Sequence, residues 1–433
     1  MSIVVEAKAI LDSLQPLAGV KKHLDNLIAG ENEAKQLIFL LLLSGIVPDP
    51  KMKQMILLKG PAGVGKTTLM NIADLFKSKT IGRLSATALD YIEDLSSYQV
   101  LKLQELGHMD YDRPLKFVSA DDKGYTIEVT VPGKQEEGAT KAPFKTFTKH
   151  IPAITLITST TRISIEPQFR RRNWIINPDT SKEQTEKIRK WKIEQEDELD
   201  RLNQGLVPET SYDKSKQILA SLVEMIKPCK VIIPFKDHLT QLLPADNMEV
   251  RGHYDKLLSL ATLYGVLLQN QLPKLNGWPV LTAERALEIL EISKDAFQAM
   301  SSMESRITQF IQLLDAEGFD KGFIIDKTKR IKLGRKMDRS HRTVLTYLNF
   351  LEDEGYLTSV RTGREKLFEL VDAPKEMMRR FASLTSKLKN RDVVTLVLNL
   401  EADTYLTELC EEKGVEERLR EELLKHFPIS KRL

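Results

Sequence analysis

The sequence predicts an α/β fold, a wound parallel sheet followed by largely helical segments. Three observations predict it. Met55–Lys59 is a short apolar run that feeds directly into the glycine-rich stretch Gly60-Pro61-Ala62-Gly63-Val64-Gly65-Lys66-Thr67. From Thr67 the pattern turns helical, through Leu69, Ile72, Ala73 and Phe76. Val100–Leu103 and Ile154–Thr158 then read as a second and a third strand. Strand alternating with helix in this way is the pattern of a wound sheet rather than of a sandwich or a bundle.

The chain has 433 residues, enough for about two to four domains. Hydrophobic residues make up 42% and charged residues 29%, a globular balance with material for a core. The net charge is only +3, so any nucleic-acid footprint must be local. Cys229 and Cys410 are far apart and lack histidine neighbours, which excludes a disulfide framework or a zinc site and fits a reducing compartment. No signal-peptide pattern opens the chain, and the longest apolar run, Leu37–Leu43, is too short to span a bilayer. The expectation is a cytoplasmic, soluble protein with no membrane partner.

Residues 1–46 read as helices. Ile10, Leu11 and Leu14, then Leu24, Leu27 and Ile28, recur at helical spacing. Asn32 is placed to cap a helix over Glu33–Ser44, ended by Gly45 and Pro48 and buried in its apolar second half. Between the second and third strands lies an insertion, about Asp110–His150. In it, an alternating segment Thr126–Val131, a turn at Gly133–Lys141 and an extended piece at Phe144–Thr148 predict a β-hairpin. A charged helix begins at Thr180 or Ser181 and runs to about Asn203. Residues 206–300 are helical, with one helix marked by Tyr254, Leu257, Leu258, Ala261 and Leu263. Another is capped by Thr282 and carries Ala286, Leu287, Ile289 and Leu290.

The texture changes at Met303. Ile307, Phe310, Ile311 and Leu314 predict a helix ended near Gly318, and Ile331–Arg335 a short second one. Ser340 caps a third helix with Val344, Leu345, Leu348 and Leu351, ended by Gly355. Tyr356–Val360, the turn Arg361–Arg364 and Lys366–Val371 then predict a hairpin. Three helices and a hairpin in this order make a winged helix. Residues 374–433 read as a charged helical tail without a motif, and no internal repeats occur.

Gly60–Thr67 fits G-x-x-x-x-G-K-[ST] between a strand and a helix. Its glycines let backbone N–H groups turn around a phosphate, and the helix that follows adds its positive dipole end. Lys66 reaches the β- and γ-phosphates, and Thr67 offers a hydroxyl to Mg²⁺, with Thr68 beside it. The predicted ligand is ATP with Mg²⁺, held by Gly60, Pro61, Ala62, Gly63, Val64, Gly65, Lys66, Thr67 and Thr68. The strand Val100–Leu103 ends in Gln104-Glu105. Gln104 would hold a Mg²⁺-bound water through its amide oxygen, and Glu105 would polarise the attacking water. Thr158, Ser159 and Thr160 at the third strand's end are candidates to sense the γ-phosphate; ordinary loop hydroxyls read the same. Arg170-Arg171-Arg172 follow, of which Arg172 precedes the apolar stretch Trp174–Ile176. Arg172 is the preferred arginine finger for a neighbouring subunit's ATP; a basic surface turn is the bland alternative.

Over about residues 22–300 the chain resembles the AAA+ ATPases, and within them the minichromosome-maintenance-like helicase module. Glu31–Leu43 is similar to the helix before the P-loop strand, Gly60–Thr67 to the Walker A and Val100–Glu105 to the Walker B. The insertion sits where that clade carries a hairpin, Thr158–Thr160 at the sensor position, and Arg170–Arg172 at the finger position. Asn247–Arg251 followed by Leu257–Leu260 is similar to the sensor-2 helix, which implies that Arg251 contacts the γ-phosphate. Val280–Leu290 resembles the final lid helix. Ile154–Lys187 also resembles helicase-like domains attached to some phage and bacterial primases. Gln104 departs from the usual Walker B Asp, and hydroxyl residues from the usual sensor Asn. Fifty-nine residues precede the loop, and the expectation is that the DNA-encircling domain of that clade is absent.

The winged helix concentrates positive charge: Lys327, Lys329, Arg330, Lys332, Arg335 and Lys336, then Arg339, Ser340, His341 and Arg342 at the start of the third helix. Arg361, Arg364 and Lys366 lie on the wing. Donors at a helix N-terminus and on a wing suit DNA bases and phosphates. In the insertion, Lys123, Lys134 and Lys141 are second candidates to grip a strand in a pore, against a hairpin that packs between subunits. The expected domains are 1–205, an ATPase core with N-terminal helices and hairpin; 206–300, a helical lid; 301–373, a winged helix; and 374–433, a helical tail. The resemblance implies a homo-oligomeric ring, DNA as partner, and company among replication proteins. The expected activity is an ATP-driven DNA helicase or translocase in replication. The alternatives are an ATP-switched initiator or loader, and a DNA-binding regulator with a vestigial nucleotide site.

Overall fold

Three helices lead into the sheet: α1 (Ile3–Asp12), α2 (Pro16–Leu27) and α3 (Asn32–Leu42). The computed structural model describes residues 2–82, 95–106, 125–132, 144–162, 169, 172–242, 251–301, 305–319, 324–337, 340–353, 357–363, 365–371, 391–412, 415 and 417–428. Ser2 caps α1 with its hydroxyl, and Pro16 opens α2, where a missing N–H costs nothing. Leu37–Leu42 of α3 are fully buried, as the apolar run requires. Asn32 is not the cap of α3. Glu31 holds that position in the left-handed region (φ 51°) and makes no side-chain cap bond. Its carboxylate accepts the Asp179 N–H at 2.9 Å instead, so a tertiary partner displaces the local one.

Five parallel strands form the main sheet. β1 (Met55–Lys59), β2 (Ser78–Ile81) and β3 (Val100–Leu103) come first. An antiparallel hairpin of β4 (Tyr125–Pro132) and β5 (Phe144–Ile151) follows, and then β6 (Thr155–Thr160) and β7 (Asn173–Ile176). The spatial order is β2-β3-β6-β1-β7. Val100–Leu103 is therefore the third sheet strand along the chain and not the second. Ser78-Lys79-Thr80-Ile81 escaped detection because an edge strand only half buried carries no apolar run. β6 runs two residues further than expected, because Lys59 pairs with Thr160. Alternation sorts the β1 side chains: Ile56 and Leu58 join the core on one face, Met55 and Leu57 the core on the other.

After the glycine-rich loop, α4 (Lys66–Met70) is short and passes into a 3₁₀ turn at Asn71–Leu75. The expected helix through Phe76 is thus only half α-helical. Three residues per turn bring Asn71 and Asp74 onto one side. Both accept from the buried Lys102 ammonium of β3, at 2.9 Å each.

The long helix α5 (Lys182–Asn203) is capped by Ser181 and buries only Gln184. Then come α6 (Ser211–Met225), α7 (Lys236–Gln241), α8 (Arg251–Leu267) and α9 (Ala283–Ser301). A two-strand hairpin, β8 (Lys274–Leu275) and β9 (Trp278–Pro279), turns on Asn276 and Gly277, both at positive φ. Helices α1–α3, α6, α8 and α9 share one apolar cluster with a face of the sheet.

A second cluster, from Phe310 to Leu370, stands apart from the first. It is built by α10 (Ser305–Ala316), β10 (Ile324–Ile325), α11 (Lys327–Lys336), α12 (His341–Asp353), β11 (Leu357–Thr362) and β12 (Glu365–Leu370). Gly318, at φ 72°, turns the chain out of α10 as expected. The expected Ile331–Arg335 helix starts a turn earlier, where Asp326 caps α11. β10 pairs with β12, so the wing sheet has three strands rather than two. The tail forms α13 (Arg391–Glu412) and α14 (Glu417–Leu424). Its residues Leu398, Ala402, Leu406, Leu423 and Phe427 belong to the first, larger cluster. Glu401 accepts the Asp237 and His238 N–H groups at the start of α7. The whole is α/β: a parallel five-stranded sheet, helical regions and small antiparallel sheets. Among the described residues no helix is long and apolar enough to cross a membrane.

Candidate functional site

Strand order brings the predicted site together. β1 lies between β6 and β7, and the loop from Gly60 leaves its C-terminal end, the edge at which open α/β sheets bind ligands. Gly60 N–H donates to the Thr160 carbonyl at 3.2 Å, tying the loop to the end of β6. Gly63 and Gly65 adopt φ 80° and 92°, which only glycine adopts at no cost. Nothing lies within 4 Å of where their Cβ atoms would be, so both positions face open space. Pro61, Ala62, Thr67 and Thr68 are exposed, and Val64 partly so.

Lys66 is the buried member of the loop, 9% exposed. Its ammonium donates to the Gly60 and Pro61 carbonyls at 2.8 and 2.6 Å. Burial pushes it below the ordinary lysine value, and the Glu105 carboxylate pulls the other way. The two charges are therefore close enough to act on each other.

Gln104 and Glu105 are exposed at the end of β3, on the same edge. Gln104 N–H donates to Ile81 O at 2.9 Å, and its carbonyl accepts from Ser159 Oγ at 2.7 Å. Leu106 N–H donates to Ser159 O at 3.0 Å. The pair thus hangs between β2 and β6. In register, Thr158 stands opposite both Leu57 and Leu103. The Thr158 hydroxyl is buried with no hydrogen-bond partner, an orphan polar atom between the loop strand and the Gln104 strand. Thr160 Oγ1 accepts the Arg162 N–H at 3.2 Å. Of the three hydroxyl residues, only Thr158 keeps a side chain without a bond.

Arg172 lies elsewhere. Asn173, the first residue of β7, pairs with Met55, so Arg172 just before it lies at the N-terminal edge of the sheet. The loop starts five residues on from Met55, about 16 Å away at ~3.3 Å per residue. Arg172 is exposed. Arg170, Arg171 and Asn247–Val250 lie outside the described residues; Arg251 is the first residue of α8. Lys123, Lys134 and Lys141 of the insertion also lie outside them. One face of the hairpin exposes Thr126, Glu128, Thr130, Thr146, Thr148 and His150.

The basic surface divides. Arg335, His341, Arg342 and Arg361 are exposed. Ser340 Oγ accepts the Thr343 N–H at 3.2 Å, the cap expected for α12. Lys336 and Lys332 both pair with Glu317, Lys332 at 3.0 Å. Lys366 pairs with Glu352, to which Ser359 also donates. Arg330 is buried, its guanidinium on the Asp326 carbonyl at 3.4 Å, so its part is structural. Arg339 and Arg364 lie outside the described residues. Among those residues no group of His, Cys, Asp and Glu could hold a metal alone.

Two polar residues near Arg172 escaped the sequence reading. Asn173 and Lys256 are both buried, and Lys256 Nζ donates to the Asn173 carbonyl at 2.7 Å. A lone Lys in the amphipathic run of α8 was the only signal. Glu31, beside Asp179, is a third: burial and the Asp179 charge raise its carboxyl to about 7.

No protein-family model and no curated protein matches the chain. Solved structures do align with it, among them these two. The A-form apo structure of the NrS-1 C-terminal region is 12% identical, covering 82% of this chain and 75% of that one, with TM-score 0.27. The crystal structure of Cdc6p from Pyrobaculum aerophilum is 13% identical, covering 82% and 93%, with TM-score 0.22.

Proposed function

We propose that the chain is an AAA+-type ATPase that holds Mg·ATP at the seam between two copies and couples its hydrolysis to work on DNA. The observation that supports this best is the split of the parts across the sheet. Gly60–Thr67, Gln104-Glu105 and Thr158–Thr160 share one edge, and Arg172 starts from the other. A site completed by Arg172 then needs a second copy, in a head-to-tail ring.

Bound Mg²⁺ would supply charge neutralisation across the phosphates. Lys66 would leave the Gly60 and Pro61 carbonyls for phosphate oxygens, and Thr67 and Gln104 would meet the metal and its water. Glu105 would orient the attacking water and take its proton. The orphan Thr158 hydroxyl would find its partner on the nucleotide side. Arg251, at the head of α8, would reach the γ-phosphate, and Arg172 of the neighbour would stabilise the charge that develops there. The 206–300 segment would serve as lid. The 301–373 unit would bind DNA as a winged helix through Arg335, His341 and Arg342 at the helix and Arg361 at the wing.

The test is ATP turnover with and without single- and double-stranded DNA, alongside K66A and E105Q. E105Q should bind ATP and fail to turn it over, while K66A should lose binding. Wild-type turnover by E105Q would remove Glu105 from its role. A second reading, an ATP-switched initiator or loader for replication, is favoured by Gln104, whose amide holds a metal-bound water more weakly than a carboxylate. Unwinding of a tailed duplex that depends on Lys66 separates the helicase from the switch.

A further inference from the structure

The segment that carries Arg172 is fastened at both ends. Before it, Phe169 is 3% exposed; after it, Asn173 and Trp174 are fully buried. Asn173 Nδ2 donates back across the segment to Phe169 O at 2.6 Å. Trp174 Nε1 donates to Gln54 Oε1 at 2.8 Å, and its ring meets Phe297 of α9 edge-on at 5.0 Å. A further fastening is Lys256 of α8, whose ammonium reaches the Asn173 carbonyl. Among the described residues β7 is an edge strand, bonded in the sheet to β1. An ammonium taken out of water is costly unless its partners repay it, so a packed leucine would serve stability as well. The lysine instead supplies a donor to the carbonyl of Asn173, the residue that follows Arg172.

We infer that Lys256 is a positioning residue for Arg172, and that α8 thereby links two nucleotide sites. The first residue of α8 is Arg251, the candidate contact to the chain's own γ-phosphate. Lys256 comes five residues on and holds the root of the arginine offered to the neighbour. A shift of α8 with nucleotide in one site is passed through the Lys256–Asn173 bond to the arginine serving the next. The inference rests on the seam reading of the proposed function.

The test is subunit mixing. K256M should lower ATP turnover about 100-fold, the scale of a 1 Å misplacement of a catalytic group, with ATP affinity kept. Mixed one to one with K66A, turnover should return to about a quarter of wild type. In a head-to-tail ring about one interface in four pairs an intact loop with an intact finger. R172A mixed with K66A is the control and should recover likewise, and K256R, which keeps a donor, should restore turnover unmixed. Should K256M not fold, K256Q takes its place, with Trp174 fluorescence reporting the strand. If R172A and K66A complement each other while K256M and K66A do not, Lys256 acts on its own subunit and the inference is wrong. Full turnover by K256M alone overturns it too. If R172A and K66A fail to complement, the seam reading itself falls and takes the inference with it.

Discussion

Glu317 offers the most direct handle on the proposed DNA binding. It ties up both Lys332 and Lys336, so E317Q should release two ammonium groups toward a DNA phosphate backbone. Each lysine newly placed on a phosphate steepens the slope of log affinity against log salt by about 0.9, so two steepen it by about 1.8. Over a rise from about 50 to about 200 mM salt, that is about a tenfold larger loss of affinity than wild type shows, on a higher affinity at low salt. The stability cost should be about 1–2 kcal/mol: the lysines are 66% and 47% exposed, but the Glu317 side chain is only 9% exposed, which lifts the pairs above the ~0–1 kcal/mol of fully exposed ones. Fluorescence anisotropy of a labelled duplex across a salt series reads the slope. An E317Q slope equal to wild type, with the unit still folded by circular dichroism, would refute the idea that Glu317 holds these lysines back from DNA.

Other expectations follow from the same contacts. R342A should flatten the salt slope by about 0.9, one phosphate's worth, and R330A should instead lower the melting temperature, since Arg330 is buried. Because the Glu31 carboxyl sits at about 7 in the folded chain against 4.5 normally, the folded state holds more protons between those values. Stability should therefore be greatest below about pH 4.5 as far as this group goes, and fall as pH rises to about 7. In urea titrations E31Q should remove that part of the pH dependence. K102M strands Asp74 and Asn71 without their shared donor and should cost about 2 kcal/mol, a buried-pair penalty reduced because Asp74 is 34% exposed. Melting of D74N/K102M together should show less than the sum of the single losses.

The loop and its strand were legible because they are contiguous: Met55–Lys59 is apolar on both faces and Gly60–Thr67 follows at once. The C-terminal helix–wing unit was legible for a similar reason, since a helix start at Ser340 and a stop at Gly318 are local chemistry. Ser78–Ile81 was not, because an edge strand needs no apolar pattern. The 3₁₀ turn at Asn71–Leu75 was set by Lys102, 28 residues from Asp74. Lys256 and Asn173 meet across 83 residues, and nothing local to either marks the meeting. Cation counting along 327–366 could not see that Glu317 and Glu352 pair with three of its lysines, because those contacts form only in three dimensions.

The tail's return to the larger cluster changes the status of the smaller one. Among the described residues the chain last touches the larger cluster at Ala299 and meets it again at Val394, so the basic unit lies between two stretches of one core rather than beyond its end. A load applied to such a cassette reaches α9 and α13 together, two helices packed on each other.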